Sequence, residues 1–261
     1  MKPKIQRHGE ILSLVRRHQF MSVDELAAAL DVTPQTIRRD IRELEEGGSL
    51  KRHHGGASSG GNLPEGLPAS RQTRCQNEKN AIARLIAEHI PDGSSLFVSI
   101  GTTMEAVASE LVRRRGSLRG SLRIITNNIH VASIVSARTD YTVIITSGVV
   151  RPLDGGITGV ATVDFINQFK VDYAVMSTHG VESDGSLLDD DYKEVSVMQA
   201  MIANARVRFL GVDHSKFRSN ALVRLGDITA FDKVFTDRLP DTAMQKMLKE
   251  AGVECLIADA V

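Results

Sequence analysis

The sequence predicts an α/β domain with a mostly parallel sheet, preceded by a small domain of three helices and a basic ribbon. Three observations predict this organisation. The 261 residues are too many for one small domain, a stretch rich in Gly, Ser and Pro follows residue 57, and short apolar segments alternate with amphipathic ones after residue 75. We therefore expect a first domain at residues 1–57, a linker at 58–74 and a second domain at 75–261.

The first domain carries the signals of three short helices. Residues 5–18 have apolar side chains at helical spacing and predict the first helix. Ser22, followed three residues later by Glu25, forms a capping box that predicts the start of the second. Thr33 suits the N-cap of the third helix and Pro34 its first position. The segment "SLKRHHGGAS" that follows has the composition of two short strands, which form a ribbon.

The third helix has two contrasting faces. Ile37, Ile41 and Leu44 lie at helical spacing and predict a buried stripe. The opposite face is polar and cationic, which is typical of a solvated surface or of a surface that contacts DNA. The helix-turn-helix order before it and the basic ribbon after it favour DNA. The side chains predicted to contact DNA are Thr33, Gln35, Thr36, Arg38, Arg39 and Arg42 on the helix, and Lys51, Arg52, His53 and His54 on the ribbon, which we interpret as a wing.

Charge and composition exclude several other classes of protein. The formal net charge is zero, and residues 1–57 hold 10 Lys or Arg against 8 Asp or Glu, so attraction to DNA must be local. No apolar run is long enough to span a membrane, and the N-terminus lacks the pattern of a signal peptide. Cys75 and Cys255 have no partner at metal-ligand spacing. We expect a cytoplasmic protein with reduced thiols, no membrane partner, no cofactor and no metal.

The second domain has the pattern of strands that alternate with helices. This alternation predicts a mostly parallel sheet covered on both faces. Helices are expected at residues 103–115, 128–137, 158–169, 191–205 and 241–251. The predicted strands are "SLFVSI", "LRIIT", "YTVIIT", "DYAVMS", "RFLGV" and "DKVFT".

Several predicted strands end in small or polar residues. Loops beyond the carboxyl ends of parallel strands converge on one crevice, where amides and cations bind phosphate and polar side chains bind hydroxyl groups. Ordinary helix capping and solvated loops are the alternatives for single residues. The predicted set for a small phosphorylated ligand is Gly101, Thr102, Thr103, Asn127, Asn128, Gly148, Arg151, Gly156, Gly159, Asp213 and Lys216.

Long motifs in both domains resemble the DeoR-type bacterial transcriptional regulators. These motifs include "TPQTIRRDIRELEEGG", "RHHGGA", "RIITNN", "DGGITGVATVDFINQF", "GVESDGSLLDDDYKEV" and "VDHSKF". The resemblance covers nearly the whole chain. It implies a winged helix-turn-helix joined to a sensor domain akin to sugar-phosphate isomerases. It also implies a homodimer or homotetramer that binds double-stranded operator DNA, and a phosphorylated effector, with glycerol 3-phosphate favoured.

The sequence departs from the family's pattern at three positions. The family usually has an aspartate where this chain has Ser99, a second glycine at Ser147 and a lysine at Met198. The resemblance adds Ser99 to the effector-binding set and leaves another sugar phosphate open as ligand. A second hypothesis is an enzyme, a sugar-phosphate isomerase fused to a helical domain. The sequence shows no clear general acid–base pair, which argues against catalysis.

Overall fold

Two separate units form along the chain, residues 1–74 and residues 75–261. They are seen in a computed structural model, which describes residues 4–18, 20–46, 49–53, 55–58, 74–114, 121–152, 154–217 and 219–259. Most of the predicted linker, residues 59–73, lies outside the described residues, as do Gly47 and Gly48.

The first unit contains the three predicted helices and a three-stranded antiparallel sheet. The sheet has the order β1-β3-β2, and β1 was not predicted because only three residues form it. Ile11, Leu26 and Ile37 are fully buried at the centre of the unit. The elements are α1 (Lys4–His18), β1 (Phe20–Ser22), α2 (Val23–Leu30), α3 (Pro34–Glu46), β2 (Lys51–His53) and β3 (Gly56–Ser58).

Side-chain caps fix the start of α2 and α3. The Ser22 hydroxyl accepts from the backbone N–H of Glu25 at 3.1 Å, and the Glu25 carboxylate accepts from the backbone N–H of Ser22 at 2.8 Å. Thr33 Oγ1 accepts from the backbone N–H of Thr36 at 3.3 Å. Asp31 takes the left-handed conformation and turns the chain between the two helices. The predicted capping box and the predicted helix-turn-helix are both confirmed.

The second unit is built on a seven-stranded sheet in which every strand pair is parallel. The predicted α/β fold with a mostly parallel sheet is confirmed. Its order is β15-β14-β12-β9-β4-β5-β6. The elements are α4 (Gln76–Glu88), β4 (Ser95–Val98), α5 (Thr102–Arg113), β5 (Arg123–Thr126), α6 (Ile129–Val135), β6 (Thr142–Ile145), β7 (Val149–Val150), β8 (Ile157–Thr158), α7 (Val160–Ile166), β9 (Val171–Met176), β10 (Gly180–Val181), β11 (Ser186–Asp189), α8 (Tyr192–Ala203), β12 (Ala205–Gly211), β13 (Val223–Asp227), β14 (Lys233–Thr236), α9 (Thr242–Glu250) and β15 (Glu254–Ile257).

Both faces of this sheet are covered. Leu96 and Val98 of β4 pack into one apolar cluster with α4 and α5, whereas Phe97 between them packs into a second cluster with α8. This alternation follows from the pleat of a strand, which points successive side chains to opposite faces. None of the described helices is long and apolar enough to cross a membrane.

Four features of the second unit differ from the sequence prediction. Strand β15 extends the parallel sheet beyond the six predicted strands. A small antiparallel sheet, β10-β11-β13, was not predicted, and neither was the β7–β8 hairpin. The helix predicted from residue 158 begins at Val160, because Ile157 and Thr158 pair with β7. These strands have two to five residues and carry little periodic signal.

Candidate functional site

A buried ion pair fixes α3 to α1. The Asp40 carboxylate, on the inner side of α3, is 1% exposed and accepts two hydrogen bonds from Arg7, at 2.5 and 3.0 Å. His8 Nε2 lies 3.1 Å from the same carboxylate. Burial alone would raise the pKa of Asp40, but the hydrogen bonds from Arg7 and His8 hold it below its ordinary value. Asp40 therefore stays ionised, and its ion pair with Arg7 holds α3 against α1.

The outer face of α3 is exposed and cationic. Thr33, Gln35, Arg38, Arg39 and Arg42 are exposed there, and Thr36 is half-buried. The Arg39 side chain is 80% exposed, and its Nε lies 3.4 Å from Glu43. The predicted residues of this helix thus share one solvent-facing surface, opposite the buried stripe.

The β2–β3 hairpin lies beside α3. The backbone N–H of Arg52 donates to Glu45 at 3.2 Å, and its guanidinium Nε lies 3.3 Å from the same carboxylate. These contacts hold the exposed Arg52 side chain next to the helix. Lys51 and His53 lie in β2, but their side chains are outside the described residues, as is the whole of His54.

A groove of about 660 Å³ separates the hairpin from α3. Arg38, Arg42 and Arg52 line it together with Asp24 and Glu45. Three guanidinium groups on one concave surface suit the phosphate oxygens of a nucleic acid backbone. Glu45 holds Arg52 in place, and both carboxylates reduce the local positive charge.

In the second unit, buried polar atoms without partners collect at the carboxyl ends of the strands. Side-chain atoms of five buried residues have no hydrogen-bond partner in the described part of the chain. Each of the five residues ends a strand or follows one within two positions. Buried polar groups are normally hydrogen-bonded, so such a concentration indicates a place that a ligand or water fills. The atoms are Asn127 Oδ1, Asn128 Nδ2, Thr146 Oγ1, Asp213 Oδ2 and Thr236 Oγ1.

The loops after β4 and β5 differ in how they begin the next helix. Asn128 caps α6, since its Oδ1 accepts from the backbone N–H groups of His130 and Val131. Capping, the alternative explanation for Asn128, is therefore part of its role. Gly101 is the N-cap of α5 with φ of 126°, and no side chain caps that helix. The N-terminus of α5 is consequently a favourable position for an anion.

Arg151 lies among three carboxylates. Its guanidinium nitrogens donate to Asp154 at 2.6 and 3.0 Å, to Asp191 at 2.8 Å and to Glu194 at 2.7 Å. Burial and the nearby charge of Asp189 raise the pKa of Glu194 to about 8, although Arg151 opposes the shift. The sequence predicted Arg151 as a phosphate ligand and missed these acids. A phosphate could use this arginine only by displacing carboxylates.

The loop residues fall into two groups. The first group contains Asn127, Asn128 and Gly156, whose chain segments are joined by backbone hydrogen bonds. A Cβ added to Gly156 would lie 3.1 Å from the Arg151 side chain and 3.0 Å from the Ile100 side chain. Asn127 and Asn128 follow β5, Ile100 follows the neighbouring strand β4, and Gly156 immediately precedes β8.

The second group consists of Asp213 and Lys216, which follow β12. Strand β9 separates β12 from β4, so this loop lies further along the same edge of the sheet.

Two of the remaining predicted residues are glycines whose backbone geometry is specific. A side chain on Gly148 would collide with Thr162, so the close packing of the loop requires a glycine there. Gly159 has φ of 117° and is the N-cap of α7. Ser99 and Met198, two of the departures from the family pattern, are both buried, and Met198 packs in the apolar core.

Taken with the exposed face of α3, the buried polar atoms at the strand ends indicate a class of protein. A winged helix-turn-helix unit joined to an α/β unit with a parallel sheet is an architecture of ligand-responsive transcriptional regulators. Residues 7–61 match the DeoR-like helix-turn-helix domain, and residues 74–238 match the DeoR C-terminal sensor domain. The chain belongs to the DeoR family, which confirms the resemblance inferred from its motifs.

Relatives across the full length are transcriptional repressors. The glycerol-3-phosphate regulon repressor of Escherichia coli (strain K12) is 44% identical over 95% of this chain and 97% of its own. The transcriptional repressor CsqR of the same organism is 39% identical over 96% and 94%. These relatives and both family domains identify a regulator rather than an enzyme. Ribose 5-phosphate isomerase A from Methanocaldococcus jannaschii is similar over 55% of each chain, with 15% identity and a TM-score of 0.41, which is too distant for a functional argument.

Proposed function

We propose that this protein represses transcription by binding operator DNA through α3 and the β2–β3 hairpin, and that a phosphorylated small molecule releases it. Glycerol 3-phosphate is the favoured effector. One observation carries the DNA part of the proposal: an exposed cationic face on a helix whose other side is fixed by the Arg7–Asp40 pair. A rigidly held helix with exposed arginines can keep its register in the major groove.

The DNA-contacting residues divide by role. The N-terminal turn of α3 faces the base edges, where the amide of Gln35 suits adenine and small hydroxyls suit several bases. Arg38, Arg39 and Arg42 serve as bidentate donors to guanine or phosphate. The hairpin follows the adjacent backbone. The proposed set is the one the sequence predicted: Thr33, Gln35, Thr36, Arg38, Arg39, Arg42, Lys51, Arg52, His53 and His54.

For the effector, the side-chain atoms of Asn127 and Asn128, just after β5, that lack partners in the described part of the chain support a crevice. Asn127 and Asn128 would bind hydroxyl groups, and the N-terminus of α5 at Gly101 to Thr103 would bind the phosphate. Ser99, Gly156 and Lys216 complete the proposed surroundings, and Gly148 and Gly159 shape the loops. Arg151 would join the phosphate only after leaving part of its carboxylate cluster.

This exchange of partners would couple effector binding to DNA binding. An effector can release DNA only if it binds the low-affinity conformation better, typically by about 1–3 kcal/mol or roughly 5- to 150-fold. We propose that effector phosphate separates Arg151 from Asp191, the N-cap of α8, and from Glu194 in the first turn of that helix. We also propose a homodimer or homotetramer, which would bind a two-fold symmetric operator.

Thermal unfolding with a panel of phosphorylated small molecules tests the effector part. A ligand at 100 times its dissociation constant adds about 2.7 kcal/mol of stability, which raises the midpoint of a unit this size by roughly 5–10 °C. We expect glycerol 3-phosphate to produce that shift and glycerol to produce none. A shift with a different sugar phosphate alone would replace the ligand, and no shift with any compound would contradict the sensor proposal.

A further inference from the structure

Metal-ligating side chains from remote parts of the sequence meet where β12 and β14 end and α4 begins. One ligand atom each of Cys75, Asp213 and His214 lies within 4.8 Å of the other two. Glu78, His214 and Asp237 form a second group of the same kind. Because His214 belongs to both groups, the five residues form one cluster, which we call the Cys75–His214 cluster.

The Asp213 carboxylate is incompletely satisfied in this cluster. The residue is 1% exposed. Its Oδ1 accepts from the backbone N–H of Ser215 at 2.9 Å and from the Ser215 hydroxyl. Its Oδ2 is buried and has no hydrogen-bond partner in the described part of the chain. An isolated buried carboxylate oxygen is unfavourable, and a bound cation would satisfy it.

The His214 ring is oriented by a second carboxylate. Its Nδ1 lies 2.6 Å from Asp237 Oδ2, and Asp237 Oδ1 accepts from the backbone N–H of His214 at 2.6 Å. A carboxylate at Nδ1 holds the proton on that nitrogen and leaves the lone pair on Nε2. Metal-bound histidines usually have such a carboxylate, which fixes the ring and strengthens it as a ligand.

Cys75 is held in an unusual conformation beside these groups. It is the N-cap of α4 in the left-handed region, with φ of 53°. In the described residues, Asp31 is the other non-glycine residue with positive φ. Such strain is retained where the surroundings fix a side chain in place, as they do at ligand sites.

A cavity lies on one side of His214. His214 lines a cavity of about 270 Å³ together with Glu182, Arg238 and Asp241. A metal ion could reach the cluster from this cavity, and a position opposite the protein ligands could remain open toward it.

We propose that Cys75, Asp213 and His214 bind a divalent transition metal ion, with zinc favoured by the combination of thiolate, carboxylate and imidazole ligands. Glu78 stands beside this site as a further oxygen ligand, and Asp237 supports His214. Asp213, which the sequence assigned to the effector, serves the metal in this proposal. The sequence predicted no metal because ligands so far apart form no short motif.

Cobalt(II) titration of the untagged full-length protein, with reduced thiols, tests the proposal. Cobalt occupies zinc sites, and a thiolate ligand gives it an intense charge-transfer absorption. We expect one cobalt ion per chain with that absorption, loss of the absorption when zinc is added, and no displacement by magnesium, which prefers oxygen ligands. Cys75→Ser should abolish the absorption. The matched control Cys255→Ser should keep it, because Cys255 lies in β15 outside the cluster.

Two further variants separate metal ligation from folding. Asp213→Asn changes a proposed ligand and keeps the side-chain volume. Asp237→Asn removes the carboxylate that orients the His214 ring, and this variant should bind zinc roughly 10- to 100-fold more weakly than the wild type. Thermal unfolding without metal shows whether each variant is folded. Absence of the charge-transfer absorption in the folded wild type, or its persistence in Cys75→Ser, would overturn the proposal. These readouts use no DNA and no effector, so they fail or succeed independently of the repressor proposal.

Discussion

Asp40→Ala should destabilise the first unit without disturbing the second. The substitution leaves Arg7, which is 6% exposed, as a buried charge without the two hydrogen bonds it donates to Asp40. Breaking a buried pair from one side typically destabilises by about 3–5 kcal/mol. At about 4–8 °C per kcal/mol for a unit of this size, the unfolding midpoint should fall by roughly 12–40 °C. A domain has only about 5–15 kcal/mol of stability in all, so operator binding should weaken with it.

Hydrogen exchange of peptides from α1, α3 and the second unit is the appropriate assay, because it reports each unit separately. The matched control is Glu43→Gln, which removes a more exposed ion pair with Lys4 and should change stability by less than about 1 kcal/mol. The double variant Arg7→Met/Asp40→Leu should recover most of the stability, since apolar residues replace both charges. Wild-type protection of α3 in Asp40→Ala would refute this reasoning.

The same pair predicts a dependence on pH. The pKa of Asp40 in the folded protein lies below its ordinary value of 3.8. Its contribution to stability is therefore present above that ordinary value and is lost as the pH falls through the lower folded value. Exchange protection of α3 should decrease on acidification in the wild type and less so in the double variant.

Three further predictions concern single residues. Arg39→Ala should weaken operator binding. The slope of log affinity against log salt concentration should become shallower by about 0.9 for each DNA phosphate that the variant no longer neutralises. The control is Arg206→Ala, which changes an exposed arginine of the second unit, and an unchanged slope in Arg39→Ala would contradict the role of Arg39. Burial and the charge of Asp189 raise the pKa of Glu194 from its ordinary 4.5 to about 8 in the folded protein, so stability should fall as the pH rises between those values, and Glu194→Gln should flatten that part of the curve measured by thermal unfolding. Gly148→Ala should destabilise the second unit by about 1–3 kcal/mol in denaturant unfolding because of its φ of 138°, whereas Gly226→Ala, where a Cβ meets open space, should change stability far less.

Periodicity and caps made the main elements predictable. The capping box at Ser22 and the apolar stripe of α3 depend on residues within one or two turns, so their physics is local. Strand β1 and the β7–β8 hairpin depend on pairing with partners elsewhere, and two or three residues carry no period of their own. Strand β15 likewise forms because its residues pair with β14.

The exposed cationic face of α3 was easier to predict than the contacts that hold this helix in place. Exposed arginines on α3 appear in the sequence as a charged face, but Arg7 and Asp40 are 33 positions apart. Asp40 does lie on the helical stripe of Ile37, Ile41 and Leu44, and that position was the available signal for its burial.

The rule for parallel strands predicted that the loops after them lie along one edge of the sheet but not which side chains pair. Arg151 contacts Asp191 and Glu194, which are 40 and 43 positions away. Cys75 and Asp213 meet only because α4 begins beside the end of β12. Such pairings depend on the assembled sheet, so no window of sequence contains them.

The central claim is that a phosphorylated effector controls the affinity of this protein for operator DNA. The most direct measurement is fluorescence anisotropy of a labelled duplex, selected by the protein from random sequences, titrated with the full-length chain at fixed salt. With glycerol 3-phosphate added, we predict a roughly 5- to 150-fold loss of affinity, and none with glycerol or inorganic phosphate. An affinity that no phosphorylated compound changes, although thermal unfolding shows that one of them binds, would contradict the account.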